Sequence, residues 1–222
     1  MMHRICLRGL RWAGQRLDLV GYLIAENLAL RQQLRTQRRT LDNYEQSHLS
    51  QRAVQQLVRH RLFCAAQHIA CYIPNDGELD ITPLIDQAWA MGKTIYLPVL
   101  SSIHRNHLHF LPYRPDDELV CNRYGIPEPV VRSRRMVDLK RLDLVLLPLV
   151  GFDSRGNRLG MGGGFYDRSF AFLRRRRSWF KPGLLGIAYD FQEVKTLESN
   201  VWDVPLNGVA TETGVRLLAG KR

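Results

Sequence analysis

The chain has 222 residues, of which 45% are hydrophobic and 24% are charged, a balance that excludes a disordered chain and a fibre. Its formal net charge of +11 indicates anionic partners, which include nucleic acid, a membrane surface and small phosphorylated or carboxylated ligands. The four cysteines have no CxxC spacing, so we expect reduced, mostly buried thiols and a cytoplasmic location.

The N-terminal segment has the composition of an extension. Residues 1–16 contain four arginines and no acidic residue, which is typical of a transit peptide or of an incidental extension. The apolar stretch at residues 17–30 carries Asp18 and Glu26 and is too short to span a bilayer, so we expect no membrane partner. We therefore assign residues 1–27 to an extension without an assigned role and residues 28–222 to a single catalytic domain.

The first half of the chain alternates between helical and strand patterns. Leu30 and Leu34 are four residues apart and contribute to the apolar face of a helix over residues 17–39. Asp42 predicts the cap of a second helix that runs to about residue 62, with Glu45 as its reciprocal partner. Further expected elements are a strand at 68–73, a helix at 82–91, and strands at 94–98 and 107–113.

The second half continues this alternation after a long polar stretch. Residues 114–140 are rich in proline, arginine and acidic residues and are expected to be mostly loop. The later elements are a strand at 142–150, a glycine-rich loop at 156–164, a helix at 166–177, a strand at 184–189, a helix at 192–197 and one or two strands near 208–211. This order predicts a single α/β domain with three layers, in which helices flank a mostly parallel, Rossmann-like sheet.

The strongest local signal is the segment Phe152-Asp-Ser-Arg-Gly-Asn-Arg-Leu-Gly-Met-Gly-Gly-Gly-Phe-Tyr-Asp167. Its glycines let backbone N–H groups approach an anion, and the start of the following helix adds partial positive charge. Arg158 can bind phosphate through two hydrogen bonds, and Asp167 offers the hard oxygen ligand that magnesium prefers. The segment matches neither GxxxxGK[ST] nor GxGxxG, so the glycines alone are equally compatible with a tight turn that packs a helix on a sheet.

Four further segments accompany the glycine-rich one in a fixed order. They are Arg35-Thr-Gln-Arg-Arg39, Asp76-Gly-Glu-Leu-Asp80, Tyr124-Gly-Ile-Pro-Glu-Pro129 and Trp202-Asp-Val-Pro-Leu206. Together the five segments resemble those of the 5-formyltetrahydrofolate cyclo-ligase family, over about residues 28–215. The resemblance implies a cytoplasmic, ATP- and Mg²⁺-dependent ligase that converts 5-formyltetrahydrofolate to 5,10-methenyltetrahydrofolate and releases ADP and phosphate. It also implies no nucleic-acid partner and a monomer or weak dimer.

The same resemblance assigns roles to individual residues. The ATP-binding residues would be Arg35 and Arg39 on one helix face, with Arg158, Leu159, Gly160, Met161, Gly162, Gly163, Gly164, Phe165 and Tyr166. Arg158 and Tyr166 would be catalytic, Glu78 and Tyr166 would bind the folate, and Asp167 and Asp203 would hold Mg²⁺. The chain departs from the family pattern at Gly163, where some members carry lysine, and at Phe165, where tyrosine is common.

Two other functions stay open on the residues themselves. Arg134–Arg135 and Arg174–Arg177 would suit a basic nucleic-acid-binding protein, although no recognised nucleic-acid motif accompanies them. A nucleotide-binding enzyme of the same fold with another acceptor is also compatible, but it would not need Glu78. The string His104, His107 and His109 has no acid or cysteine at ligand spacing, so we predict no metal site there.

Overall fold

The computed structural model describes residues 13–130, 136–175 and 181–218. Within these residues the strands are β1 (His68–Ala70), β2 (Thr94–Leu100), β3 (Leu108–Tyr113), β4 (Leu119–Cys121), β5 (Pro127–Pro129), β6 (Leu144–Pro148), β7 (Gly151–Phe152), β8 (Arg158–Leu159), β9 (Gly183–Ile187), β10 (Gly208–Thr211) and β11 (Gly214–Leu217). The α-helices are α1 (Ala13–Arg39), α2 (Asn43–Arg59), α3 (Arg61–Ala65), α4 (Thr82–Ala90) and α5 (Phe165–Ser169). Short 3₁₀ turns lie at Leu139–Arg141, Ala171–Arg175 and Asp190–Gln192.

One seven-stranded sheet organises the protein, in the order β11-β10-β9-β6-β1-β2-β3. The five central strands are parallel, and the two edge strands β3 and β11 are antiparallel to their neighbours. The mostly parallel α/β sheet that the sequence predicts is therefore confirmed.

Both faces of the sheet are covered, which explains why its central strands consist almost entirely of apolar residues. Along β6, Leu144 and Leu146 pack with the helices α2 and α4, whereas Val145 and Leu147 pack on the opposite face with Phe170 beyond α5. Side chains alternate between faces along a strand, so a strand covered on both sides reads as a continuous hydrophobic run. The three layers follow directly from this pattern.

The capping box predicted at the start of α2 is present. Asp42 accepts a hydrogen bond from the backbone N–H of Glu45 at 2.8 Å, and the Glu45 carboxylate accepts one from the N–H of Asp42 at 3.1 Å. We expect Asp42→Ala to lower the free energy of unfolding by about 1 kcal/mol, because the N–H of Glu45 in the first turn loses its partner. Urea denaturation tests this, and an unchanged midpoint would show that solvent replaces the cap without cost.

Several predicted boundaries are wrong in the first half of the chain. The helix α2 ends at Arg59 rather than near residue 62, because His60 adopts extended angles and its ring accepts a hydrogen bond from the N–H of Leu62 at 3.3 Å. Residues 114–140 are mostly loop where the structure describes them, as predicted, but β4 and β5 form a short hairpin within them that the sequence analysis did not predict. The Asn122 side chain stabilises its turn by accepting from the N–H groups of Tyr124 and Ile126.

The predicted helix at residues 192–197 does not form. The 3₁₀ turn ends at Gln192, and the next backbone N–H groups bond elsewhere: Val194 donates to Phe152 O at 2.8 Å and Leu197 to Asp153 at 3.0 Å. The predicted helix at 166–177 is reduced to α5 and a 3₁₀ turn, and its last two residues lie outside the described residues. Of the three thiols in the described residues, Cys64 and Cys121 are exposed and Cys71 is buried, so the prediction of mostly buried thiols is wrong for these three, while Cys6 lies outside the described residues.

Two further observations concern the N-terminal helix and the membrane. The expected domain boundary at residues 27 and 28 lies inside α1, whose buried face includes Leu34, whereas Leu28 is exposed. Within residues 13–130, 136–175 and 181–218, no helix is long and apolar enough to cross a membrane.

Candidate active site

A cleft of about 1240 Å³ opens where β1 and β6 end. These strands are neighbours, but the chain proceeds from β1 to β2 on one side and from β6 to β9 on the other. Ligands of open α/β sheets bind at such a reversal, outside the carboxyl ends of the strands. The lining of the cleft includes Tyr72 just beyond β1, Pro148 at the end of β6 and Leu149 directly after it.

All site residues that the sequence predicts line this cleft. They are Arg35, Arg39, Glu78, Arg158, Leu159, Gly160, Met161, Gly162, Gly163, Gly164, Phe165, Tyr166, Asp167 and Asp203. They come from α1, the turn after β1, β8, the loop between β8 and α5, α5 itself and the segment before β10. The fold therefore brings together residues that are far apart in the sequence.

A short hairpin of β7 and β8 positions the glycine-rich loop. At its turn, the buried Asp153 carboxylate accepts from the N–H groups of Arg155, Asn157 and Leu197, each at 3.0 Å. Gly156 has φ +86°, and a Cβ there would lie 2.9 Å from Leu206 O, so only glycine permits this close approach. The turn thereby fixes the start of the loop against the C-terminal segment.

The glycine-rich loop itself runs from Gly160 to Gly164 along the cleft wall. Gly162 and Gly164 have φ values of +95° and +64°, which a side chain would strain. The helix after it is shorter than predicted, since α5 contains only five residues. Its dipole therefore contributes less positive charge than a full helix would, so loop N–H groups and nearby arginines are the main groups that an anion could bind here.

The predicted metal ligand Asp167 lies beside the predicted metal ligand Asp203. Asp167 Oδ1 accepts a hydrogen bond from the N–H of Val204, the residue after Asp203, at 3.0 Å. Arg158 pairs with the same Asp167 oxygen and also donates to Val204 O. The Asp203 carboxylate accepts from the N–H of Asn200 at 2.7 Å. Both aspartates and Arg158 line the cleft, and the Val204 contact holds the segment that carries Asp203 against Asp167.

Three arginines of α1 converge on Asp76. Arg35 Nε and Arg38 Nη2 each lie 2.8 Å from Asp76 Oδ2, and Arg39 Nε lies 2.5 Å from Asp76 Oδ1. Burial alone would raise the pKa of Asp76, but the hydrogen bonds from Arg35 and Arg39 and the charge of Arg38 lower it to about 2. The two arginines predicted to bind phosphate are therefore paired with a carboxylate in this structure.

The turn that carries Asp76 also presents Glu78. A Cβ on Gly77, which has φ +71°, would lie 3.3 Å from Arg38 O, so this glycine allows the turn to approach α1. Glu78 Oε2 accepts from the N–H of Asn75 at 3.1 Å, and its other oxygen lies 4.0 Å from Arg38 Nη1. Burial raises the pKa of Glu78 to about 7 despite the opposing charge of Arg38. Glu78 can therefore present either a carboxyl or a carboxylate near neutral pH.

Aromatic and apolar side chains complete the lining. The ring of Tyr166 stacks on Phe170 with centroids 6.4 Å apart, and burial raises the pKa of Tyr166, so its hydroxyl remains a donor at neutral pH. Phe165 lies edge-on to Tyr124 at 6.0 Å. Trp202 is 58% exposed at the cleft, which leaves its ring available for a planar ligand.

Sequence reasoning missed two arginines of the same helix. Arg31 Nε donates to Gly160 O at 2.8 Å, so it contacts the glycine-rich loop, whereas Arg35 and Arg39 contact Asp76. Its position four residues before Arg35, on the same helix face, was the signal available in the sequence. Arg38 is only 2% exposed. Its neighbours in the sequence are polar and charged, so the sequence does not indicate this burial.

The remaining candidates include His107 and Arg174, which line the cleft, and His109, which lies outside its lining. His109 Nε2 lies 3.1 Å from Ser101 Oγ, and His107 Nδ1 lies 3.1 Å from Arg105 O. Across the described parts of the chain, no group of three or more His, Cys, Asp or Glu residues is arranged to hold a metal ion. Of the arginines considered for nucleic acid, Arg174 donates to Val201 O, while residues 134, 135, 176 and 177 lie outside the described residues.

Comparisons with known proteins agree on one family. The model of the 5-formyltetrahydrofolate cyclo-ligase family matches residues 24–212. The 5-formyltetrahydrofolate cyclo-ligase of Escherichia coli is 41% identical over 184 residues, which cover 82% of this chain and 98% of that protein. The enzyme of the same name from Haemophilus influenzae is 39% identical, with 81% and 96% covered.

Solved structures agree as well. The 5,10-methenyltetrahydrofolate synthetase of Aquifex aeolicus has a TM-score of 0.72 and 32% identity, and the match covers 88% of this chain and 94% of that chain. The 5,10-methenyltetrahydrofolate synthetase of Mycoplasma pneumoniae has a TM-score of 0.65 and 26% identity, with 84% and 98% covered.

Proposed function

Because the chain belongs to the 5-formyltetrahydrofolate cyclo-ligase family and is an enzyme of that family, we propose that it cyclises 5-formyltetrahydrofolate to 5,10-methenyltetrahydrofolate with ATP and Mg²⁺. The products are then 5,10-methenyltetrahydrofolate, ADP and phosphate. The observation that carries this proposal is the convergence of the glycine-rich loop, Glu78, Asp167 and Asp203 in one cleft.

The proposed reaction divides into phosphoryl transfer and ring closure. The formyl oxygen attacks the γ-phosphate of ATP, ADP leaves, and the formyl carbon becomes an electrophile because its oxygen now carries the phosphoryl group. The N10 of the folate then attacks this carbon, phosphate leaves as the ring closes, and N10 loses its proton. In phosphoryl transfer the protein contributes mainly alignment of the two ligands and stabilisation of charge, so the residues required are donors and cations rather than nucleophiles.

The glycine-rich loop and its arginines support the ATP-binding part of the proposal. Residues 160–164 line the cleft, and the neighbouring Arg158 has a mostly buried side chain. Charge-assisted hydrogen bonds strengthen in such surroundings because competing water is reduced. Arg31, Arg35 and Arg39 line the same cleft and supply positive charge toward the N-terminal helix.

The carboxylates Asp167 and Asp203 fit a magnesium site. Magnesium usually takes one or two protein carboxylates and completes its shell with phosphate oxygens and water, so this pair suffices beside a phosphate-binding loop. The backbone contact from Val204 to Asp167 holds the segment that carries Asp203 against Asp167. The ion would neutralise charge on the phosphates when bound.

Glu78 and Tyr166 support the folate-binding part. A carboxylate can accept paired hydrogen bonds from an amino group and a ring N–H of a pterin, and Glu78 is held for this by Asn75 and Arg38. Tyr166 offers a ring face and a protonated hydroxyl beside the cleft.

Family membership also favours this enzyme over the nucleic-acid-binding alternative. We retain as predictions a cytoplasmic location, a monomer or weak dimer, and no nucleic-acid or membrane partner.

An absorbance assay tests the proposal directly. Purified protein with (6S)-5-formyltetrahydrofolate should form 5,10-methenyltetrahydrofolate, seen as rising near-ultraviolet absorbance, only when ATP and Mg²⁺ are both present. EDTA should abolish the rise, and added Mg²⁺ should restore it. Folded protein that binds ATP but gives no rise would direct the search to another acceptor on the same fold.

A further inference from the structure

The carbonyl group of Gly163 is held by two side chains from outside the glycine-rich loop. Asn106 Nδ2 donates to Gly163 O at 3.0 Å, and Arg168 Nη1 donates to the same oxygen at 2.6 Å. At the other end of the loop, Arg31 holds Gly160 O in the same way. The carbonyl oxygens of Gly160 and Gly163 thus accept hydrogen bonds, which reduces their repulsion of a bound anion.

Asn106 is well placed for this because the turn between β2 and β3 is itself fixed. Ser101 Oγ accepts from the N–H groups of Ile103 and His104 at the start of the turn, at 3.3 and 3.0 Å. Beyond it, the N–H of Leu108 donates to Ser169 Oγ in α5 at 2.8 Å. Asn106 has φ +56°, a left-handed conformation that asparagine tolerates better than most residues. The turn therefore presents the Asn106 amide to the loop without further adjustment.

The geometry of the peptide bond links this contact to the cleft. In a planar trans peptide, the N–H of Gly164 points away from the carbonyl of Gly163. Gly163 and Gly164 line the cleft, whereas Asn106 lies outside its lining. If the bond to Asn106 holds the Gly163 carbonyl away from the cleft, the N–H of Gly164 faces the cleft, where a phosphate group needs a donor.

We infer that Asn106 is a positioning residue for phosphate binding, which orients the peptide between Gly163 and Gly164 so that its N–H faces the ATP phosphates. The inference rests on the proposed function, since it concerns the same nucleotide. Arg168 shares the carbonyl, but it lines the cleft and could contact a ligand directly. A substitution of Asn106 therefore tests the orientation of the loop peptide without removing a group that could contact ATP itself.

The test compares binding of ATP with Mg²⁺, measured by calorimetry without folate, in the intact wild-type chain and in variants. Asn106→Asp keeps the size and the left-handed tolerance, but its carboxylate repels Gly163 O and competes for Arg168. We expect its ATP dissociation constant to rise about tenfold. Asn106→Gly removes the donor without backbone strain and should weaken ATP binding in the same direction. The KM for ATP should follow, while the KM for 5-formyltetrahydrofolate stays unchanged.

Ile103→Ala is the matched control on the same turn. Ile103 is 81% exposed and its side chain cannot form a hydrogen bond, so its removal leaves the contact between Asn106 and Gly163 intact and we expect unchanged ATP affinity. Asn106→Asp and Asn106→Gly variants that bind ATP as tightly as the wild type would overturn the inference alone. A folded wild-type protein that binds no ATP would overturn the proposed function, and this inference with it.

Discussion

The Asp167→Asn variant is expected to remain folded and to lose at least about a hundredfold in kcat for the cyclisation, since a cation neutralising phosphate charge contributes several kcal/mol to the transition state. Asparagine is isosteric and can still accept the hydrogen bond that Val204 N–H donates to Asp167 Oδ1. It lacks the charge that pairs with Arg158 and that would hold Mg²⁺. The change therefore removes electrostatics while preserving shape.

The measurement is a titration of Mg²⁺ at saturating ATP and folate. We expect the variant to need a higher Mg²⁺ concentration for half of its maximal rate and to keep a low rate at saturation. Glu193→Gln is the matched control, because Glu193 pairs with Arg216 at 2.9 Å and lies outside the cleft. If Asp167→Asn keeps the wild-type rate and Mg²⁺ dependence, the carboxylate does not serve the ion and the metal assignment fails.

The sheet was predictable because its signal is physical and local. A parallel strand covered on both faces must be apolar throughout, and residues 144–148 show that pattern without reference to distant residues. The ends of elements were less predictable, because they depend on partners far along the chain. The segment after Gln192 has helical length, but its N–H groups bond to Phe152 and Asp153, about forty residues earlier.

The candidate site divides in a similar way. The glycine-rich loop could be found because its glycines, Arg158 and Asp167 are close together in the sequence. The structure then shows that Gly162 and Gly164 have positive φ angles. The arginines of α1 could be placed on one face but not assigned partners, since Asp76 lies on a separate turn that only the fold brings near. Asn106 carried no signal in the sequence, because a single asparagine in a turn usually serves the turn itself.

Glu78→Gln is expected to weaken folate use strongly while making the protein more stable at alkaline pH. The buried carboxyl has a pKa of about 7 in the folded protein, raised from 4.5 by burial. As pH rises between these values, the unfolded chain releases this proton first, so folding stability falls by up to about 3 kcal/mol. Glutamine stays neutral at every pH and escapes this loss. We therefore expect similar stabilities at pH 4.5 and a more stable variant at pH 8.

Asp76→Asn is a control on the same turn for which we expect the opposite change in stability at pH 8. Three arginines keep the pKa of Asp76 near 2, against 3.8 for the free group, so its charge stabilises the fold above pH 3.8 and loses that effect as pH falls toward 2. Its removal should lower stability at pH 8 by about 2 kcal/mol. Denaturant melts of both variants at pH 4.5 and 8 test these signs, and a destabilised Glu78→Gln at pH 8 would contradict the burial argument.

The catalytic effect of Glu78→Gln distinguishes a folate enzyme from a same-fold enzyme with another acceptor. An amide can accept one hydrogen bond but cannot receive the paired donors of a pterin, so one donor of the bound folate loses its partner. We expect kcat/KM for 5-formyltetrahydrofolate to fall about a hundredfold, while the ATP dissociation constant changes less than twofold. Equal losses for both ligands would show that Glu78 maintains the cleft as a whole, through Arg38 and Asn75, rather than selecting the folate.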